Sequence, residues 1–205
     1  MAFFPILIEL ERAPCLVAGG GALALHKTKL LLAHGAHVRV IAPEISPELE
    51  ALPVQLVRRK VAAADVKGMM LVMDATGDGA AEAILSEACR RAHIPYNCAG
   101  HGAACTAIVP AVCRKGRVTL AVSSLGASPA ASVHLRDALA MHIPEHMDAI
   151  LEEMERLRAL SKERFSAQSV RRSFLRRCLD AMLAQAGPLS AEQREALLAG
   201  FEQEA

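Results

Sequence analysis

The sequence predicts an α/β protein that begins with a parallel β-sheet. Two observations carry this prediction. An apolar run at residues 15–18 breaks into Gly19, Gly20 and Gly21 and then resumes at helical spacing, and strand-like and helix-like segments alternate up to about residue 113. Such alternation is typical of βαβ units whose parallel strands are covered by helices. A change of pattern after residue 113 indicates segments of different architecture.

The elements of the predicted sheet follow one another at short intervals. The first helix spans residues 23–34 and is stopped by Gly35, and Pro43 and Pro47 mark a loop. The later elements are strands at 37–42, 54–57, 69–76 and 95–98 and a helix at 80–92.

The glycine turn predicts a nucleotide pyrophosphate site. Gly19 fits the tight bend, Gly21 the close approach of backbone to ligand, and Ala24 the small third position of a G-x-G-x-x-G/A fingerprint. The helix that follows offers unpaired N–H groups and the positive end of its dipole to phosphates. The alternative is a glycine turn without a ligand.

The remainder of the chain predicts one strand and then helices. A strand at 117–124 runs into Ser128 and Pro129, which are suited to the N-cap and first position of a helix that extends toward residue 141. From Pro144 onward the chain is helical, with a break at Gly187 and Pro188.

The composition limits the classes of partner. A chain of 205 residues that is 53% hydrophobic can bury a core, while a net charge of +1 and the absence of Trp argue against a nucleic-acid partner. No apolar run reaches the roughly 18 residues of a membrane span, and the chain start lacks the basic region of a signal peptide. We therefore expect a cytoplasmic protein without membrane contact, whose six cysteines are reduced core thiols.

Several motifs together resemble a known family. They are PILIEL near the start, GGGALALHK at 19–27, AT at 75–76, the strand with Asn97, IVPAV at 108–112 and VTLAVSSLGASP at 118–129. In this order they resemble the precorrin-2 dehydrogenase/sirohydrochlorin ferrochelatase family, the N-terminal module of siroheme synthases.

The resemblance implies three domains and a reaction. The domains are an NAD-binding Rossmann domain at 1–113, a dimerisation domain at 114–146 and a helical domain at 147–205, in an intertwined homodimer. The reaction is hydride transfer from precorrin-2 to NAD, which forms sirohydrochlorin, and some members then insert ferrous iron.

The cofactor residues that follow lie in three loops. Pro43 and Glu44 occupy the place of the adenosine ribose, where a carboxylate favours NAD over NADP. The alternative for Glu44 is a solvated loop carboxylate, and for Thr76 a structural role in its turn. The full expected set is Gly19, Gly21, Ala22, Leu23, Pro43, Glu44 and Thr76.

The substrate implied by the resemblance carries eight carboxylates, so its site needs hydroxyls, helix N-termini and cations. The expected residues are Ser123, Ser124, Gly126, Ser128 and Arg136. Ser128 also fits a simple N-cap, and Arg136 an exposed helix arginine. A basic stretch at 156–177, with Glu163 its single acid, would attract a polyanion or form a solvated face.

The sequence departs from the family at Gly100, where the family places an aspartate that handles protons. Three explanations are open. The neighbouring His101 acts as the base in place of the aspartate, or the reaction needs no dedicated base. In the third, the chain has lost catalysis and only binds NAD or tetrapyrrole. Asp78 is a further candidate near the cofactor, although it also suits a turn. A chelatase without dehydrogenase activity is another alternative, and no metal site is predicted.

Overall fold

The computed structural model describes residues 3–99 and 104–204, which divide into two compact units. The first unit holds the described residues up to Val109 together with Leu125–Ala127. The second holds Pro110–Ser124 and the described residues from Ser128 onward.

The first unit is built on a five-stranded sheet. Its strands are β1 (Pro14–Ala18), β2 (His37–Ile41), β3 (Gln55–Val57), β4 (Leu71–Asp74) and β5 (Tyr96–Cys98). All neighbours are parallel, in the order β3-β2-β1-β4-β5, which confirms the predicted α/β class. The order reverses between β1 and β4, and open α/β sheets bind ligands at the carboxyl ends of strands beside such a reversal.

Strand β1 is central because it is apolar on both faces. Residues 15–18 are fully buried, and their side chains alternate between two apolar clusters. Cys15 and Val17 pack with Ala24 of the first helix, whereas Leu16 and Ala18 belong to the cluster on the other side of the sheet. The uninterrupted apolar run in the sequence is the signature of this two-sided burial.

Four helical segments accompany the sheet: α1 (Ala22–Leu32), α2 (Pro47–Glu50), a 3₁₀ helix (Ala63–Val66) and α3 (Gly79–Ala92). The sequence predicts a loop around Pro47, but proline at the first position starts the short helix α2 there. The 3₁₀ helix is not predicted from the sequence. It depends on Asp65, whose carboxylate accepts hydrogen bonds from the Ala62 amide at 2.8 Å and from Arg59.

The second unit begins with an antiparallel hairpin of β6 (Ala111–Lys115) and β7 (Val118–Val122). The sequence predicts only one strand in this region, because β6 ends in charged residues and lacks a clear apolar alternation. The turn between the strands contains Gly116 at a φ of +58°, a backbone conformation that favours glycine.

Four helices complete the second unit: α4 (Pro129–Ala140), α5 (Met147–Arg164), α6 (Gln168–Ala184) and α7 (Ala191–Glu204). Helix α4 packs against the hairpin, and the rings of Phe165, Phe174 and Phe201 meet in the core of the last three helices at centroid distances of 5.4–6.4 Å. Extended backbone at Phe165 breaks a stretch that the sequence predicts as continuous helix. Across the described part of the chain, no helix combines the length and apolar character needed to cross a bilayer.

Candidate functional site

The three glycines after β1 have different surroundings. A Cβ on Gly19, which has a φ of +118°, would lie 2.5 Å from the Ala75 carbonyl oxygen at the end of β4. A Cβ on Gly20 would lie 1.9 Å from the carbonyl oxygen of Glu44, in the loop after β2. These two glycines are therefore required by close backbone packing among the ends of β1, β2 and β4.

Gly21, by contrast, opens onto empty space. A Cβ there would meet nothing within 4 Å, and Gly21 is the N-cap of α1 without a side-chain cap. The first intrahelical bond runs from the Leu25 amide to the Gly21 carbonyl at 3.0 Å, so the amides of residues 22–24 have no helical acceptor. With no acidic residue in the first turn, this end of α1 suits an anionic phosphate.

The loop after β2 lies against this glycine turn. The Ser46 amide donates to the Gly20 carbonyl at 2.9 Å, which ties the two loops together. Pro43 and Glu44 are exposed. The Glu44 carboxylate is therefore accessible at the edge of the sheet beside the open end of α1.

Thr76 and Asp78 are engaged in the turn between β4 and α3. The Thr76 hydroxyl donates to the Asp74 carboxylate at 2.6 Å, and the Asp78 amide donates to the Thr76 hydroxyl at 3.2 Å. The Asp78 carboxylate caps α3 by accepting from the Ala80 amide at 2.9 Å. The structure thus gives both residues turn roles, while it leaves Thr76 at the carboxyl edge of the sheet.

A buried polar pair that the sequence did not reveal supports this turn. Asp74, 3% exposed at the end of β4, also accepts a 2.8 Å hydrogen bond from the hydroxyl of the fully buried Tyr96. Burial and the neighbouring carboxylate raise the pKa of Tyr96 well above its ordinary value, so this hydroxyl stays protonated and donates.

A second unpredicted group is the buried ammonium of Lys27. It lies on the sheet-facing side of α1 and donates to the Asn97 side-chain oxygen of β5 at 2.5 Å. Burial lowers the pKa of Lys27, and attraction to Cys105, Cys98 and Asp74 opposes that effect. The available signal was its spacing: Lys27 is three residues after buried Ala24 and four before buried Leu31.

The residues after β5 include the two positions at which the sequence analysis expects a group that accepts the proton. Gly100 and His101 lie outside the described residues. On either side of them, Asn97 donates through its amide nitrogen to the Ala107 carbonyl at 3.1 Å, and the Thr106 amide donates to the Tyr96 carbonyl at 2.9 Å.

The expected substrate residues form a hydrogen-bonded start to α4. The Ser124 hydroxyl donates to the Ser128 carbonyl at 3.0 Å, and the buried Ser132 hydroxyl donates to the Ser124 oxygen at 2.9 Å. Ser128 caps α4 by accepting from the Ala131 amide at 3.2 Å. Ser124 and Ser128 thus both make hydrogen bonds that stabilise the junction between the loop and α4. Ser123 is exposed.

Gly126 and Arg136 differ from the serines in their partners. Gly126 has a φ of +89° and open space where a Cβ would stand. The Arg136 guanidinium is paired with the adjacent Asp137 at 2.6 Å. Ser123, Ser124, Ser128 and Arg136 belong to the second unit, and Gly126 to the first.

The basic stretch at 156–177 is partly used within the second unit. Arg164 pairs with Glu202 at 3.0 Å, Arg171 donates to the Phe165 carbonyl at 2.8 Å, and Arg177 lies over the Phe201 ring at 5.4 Å. Within residues 3–99 and 104–204, no three His, Cys, Asp or Glu side chains are grouped to hold a metal ion.

Comparison with known proteins matches residues 6–111 to a family model described as "Putative NAD(P)-binding". Siroheme synthase of Nitrosomonas eutropha is 33% identical over 190 residues, 90% of this chain and 40% of that protein. Siroheme synthase of Nitrosospira multiformis is 36% identical over 193 residues, with coverages of 90% and 41%. The chain therefore spans about two fifths of these relatives.

Among solved structures, SirC, a precorrin-2 dehydrogenase, superposes with a TM-score of 0.69. The match covers 98% of this chain and all of that one at 23% sequence identity. The two chains therefore share the same fold.

Proposed function

Because this chain belongs to the NAD(P)-binding family over residues 6–111, we propose that it is an NAD-dependent precorrin-2 dehydrogenase. In the reaction, precorrin-2 and NAD⁺ give sirohydrochlorin, NADH and a proton. The observation that carries the proposal is the open, uncapped end of α1 at Gly21, beside the order reversal of the sheet. The similarity to siroheme synthases over 90% of the chain supports this substrate.

The cofactor residues are those at the carboxyl edge of β1, β2 and β4. The backbone of Gly19, Gly21, Ala22 and Leu23 would hold the pyrophosphate, with Thr76 at the neighbouring strand end. Pro43 and Glu44 would face the adenosine ribose, where the carboxylate accepts from a hydroxyl and repels an added phosphate, so NAD is favoured over NADP. NAD, when bound, supplies the acceptor for the hydride.

The substrate residues are proposed on the loop before α4. Ser123, Ser124, Ser128 and Arg136 would contact carboxylates of precorrin-2, and Gly126 would let the backbone approach the ring. Ser124 and Ser128 can donate only at the expense of bonds that they make within the loop. Basic residues between 156 and 177 would add long-range attraction for the polyanion.

The buried pair of Asp74 and Tyr96 beside the turn is not suited to accept the proton that the reaction releases. The Asp74 carboxylate is occupied by hydrogen bonds from Thr76 and Tyr96, and the raised pKa of Tyr96 keeps it protonated. We therefore propose His101 as the base, with solvent or a substrate carboxylate as the alternative. Asp78 is the weaker candidate because it caps α3.

The test is anaerobic incubation with precorrin-2 and NAD. We expect NADH absorbance and the sirohydrochlorin spectrum to rise together, in equal amounts. Binding of NAD without either product would instead establish a non-catalytic NAD-binding or tetrapyrrole-binding protein, the alternative that Gly100 favours. Insertion of ferrous iron into sirohydrochlorin without NAD would establish a chelatase. An unchanged rate in His101→Ala would remove His101 from either reaction.

A homodimer formed through residues 114–146 is part of the proposal. A two-stranded hairpin with one helix offers little core, and Ser132 is the buried residue of α4. Leu135 and Leu139 are four residues apart, so they lie on one face of this helix, and each is about half exposed. A second copy of the chain would cover this apolar surface.

The six cysteines, all present as thiols, fit a reducing compartment, for which we propose the cytoplasm.

A further inference from the structure

Two cysteines near the end of β5 lie in contact with each other. The sulfur atoms of Cys98 and Cys105 are 3.4 Å apart, and the Cys98 amide donates to the Cys105 sulfur at 3.1 Å. Both residues are less than 9% exposed. A disulfide needs a sulfur separation of about 2 Å, so the two sulfur atoms must approach each other further to bond.

The backbone holds this pair in register. The amides of Thr106 and Ala107 both donate to the Tyr96 carbonyl at 2.9 Å, and the Tyr96 amide donates to the Thr106 hydroxyl at 2.9 Å. The residues that follow Cys105 are therefore hydrogen-bonded to β5 at Tyr96, two residues before Cys98. These bonds place the backbone next to Cys105 close to the strand that contains Cys98.

The electrostatic surroundings of the pair differ from those of the other buried cysteines. The Lys27 ammonium, held at Asn97, interacts electrostatically with both cysteines, and a cation beside a cysteine generally promotes the reactivity of its sulfur. By contrast, burial raises the pKa of Cys15, Cys89 and Cys178 to about 11. These three thiols are therefore expected to be inert.

We infer that Cys98 and Cys105 form a peroxide-sensitive dithiol. A thiolate attacks the peroxide O–O bond, which gives a sulfenic acid and hydroxide. The second thiol then displaces hydroxide from that sulfur, which gives the disulfide and water. In sum, two thiols lose two electrons and two protons, and hydrogen peroxide becomes two waters.

The disulfide would close a covalent ring over residues 98–105, and this ring includes Gly100 and His101. An effect on catalysis rests on the proposed function, which places proton handling at these positions. Formation of the disulfide does not rest on the proposed function. The disulfide proposal and the proposed function can therefore fail independently of each other.

The test is peptide mapping of the intact protein after brief exposure to hydrogen peroxide and blocking with N-ethylmaleimide. Trypsin would leave Cys98, Cys105 and Cys113 in one peptide, residues 92–114. We therefore use Cys113→Ser as the background. The expected result is that this peptide loses two hydrogens, takes up no maleimide and recovers both thiols with dithiothreitol.

Two variants in the same background control the interpretation. Cys105→Ser should show no loss of two hydrogens, and Lys27→Met should oxidise several-fold more slowly. Retention of both thiols, or sulfinic acid at Cys98 without a disulfide, would overturn the proposal. The background protein alone gives the decisive map, so the proposal can be tested even if one of the variants fails to fold. Dehydrogenase activity, measured separately, plays no part in this outcome.

Discussion

At the residue scale, the glycines of the turn divide between folding and binding. Gly19 and Gly20 are pressed against the backbone of neighbouring loops, whereas Gly21 faces open space. A side chain at Gly20 should therefore affect stability, and a side chain at Gly21 should affect ligand binding. The sequence fingerprint assigns Gly19 to the bend and Gly21 to the ligand, but it gives no role to Gly20, whose packing against the Glu44 carbonyl is set by the tertiary structure.

Gly21→Asp separates these roles. Aspartate is a good N-cap, so the melting temperature should hold or rise, while its charge near the pyrophosphate should weaken NAD binding about tenfold or more. Isothermal calorimetry measures the affinity, and the neutral Gly21→Asn should lose much less. Unchanged affinity in Gly21→Asp would refute the cofactor placement.

Gly20→Ala should instead lower the free energy of unfolding by about 1–3 kcal/mol.

Glu44 decides cofactor preference if its carboxylate meets the ribose. Glu44→Gln keeps the shape and removes the charge, so NAD should bind more weakly and NADP more tightly. A charge-assisted hydrogen bond is worth about 1.5–3 kcal/mol, and the ratio of the two affinities should fall by about tenfold or more. Parallel titrations with NAD and NADP measure that ratio. An unchanged ratio would identify Glu44 as a solvated loop carboxylate.

At the element scale, the 3₁₀ helix depends on one carboxylate. Asp65 accepts from Arg59 and from the Ala62 amide, and the bond from Arg59 is the main cause that holds the pKa of Asp65 below its ordinary value. A depressed folded-state pKa gives stability that is present above the unfolded pKa, near 3.9, and is lost as pH falls through the folded value.

Asp65→Asn should therefore lower the free energy of unfolding at neutral pH by roughly 1 kcal/mol. The difference from the unmodified protein should shrink below about pH 4, as Asp65 becomes protonated in the folded state. Urea titrations at several pH values measure it. An equal difference at pH 3 and pH 7 would show that this carboxylate is not the source of the pH dependence. Glu87→Gln, which removes an exposed pair with Arg91, should change little.

At the scale of the whole molecule, the apolar surface of α4 predicts self-association. Leu139→Glu places a charge on that surface and should convert a dimer into a monomer, as measured by light scattering. Leu183→Glu is the matched control, because Leu183 on α6 is similarly exposed, at 42% against 49% for Leu139. A monomeric unmodified protein, or equal effects of both variants, would contradict a dimer formed through residues 114–146.

Much of the fold could be predicted because its signals are local. The apolar run at 15–18, the glycine turn and the N-cap at Ser128 each depend on neighbouring residues, and the parallel sheet follows from their alternation. The hairpin strand β6 was missed because it ends in charged residues and lacks a clear apolar alternation. The 3₁₀ helix was missed because it depends on side-chain hydrogen bonds of Asp65 with Arg59 and the Ala62 amide.

The sequence by itself determined a parallel α/β sheet and a glycine turn suited to a nucleotide, because backbone conformation and burial on both faces leave periodic marks in a chain. Only the tertiary structure decided which distant side chains meet. Lys27 reaches Asn97 across 70 positions, and Tyr96 reaches Asp74 across 22. The contact of Cys98 with Cys105 depends on how Thr106 and Ala107 bond to β5. Sequence periodicity can indicate that a position such as Lys27 is buried, but it does not identify the partner, which depends on how the elements are placed in the fold.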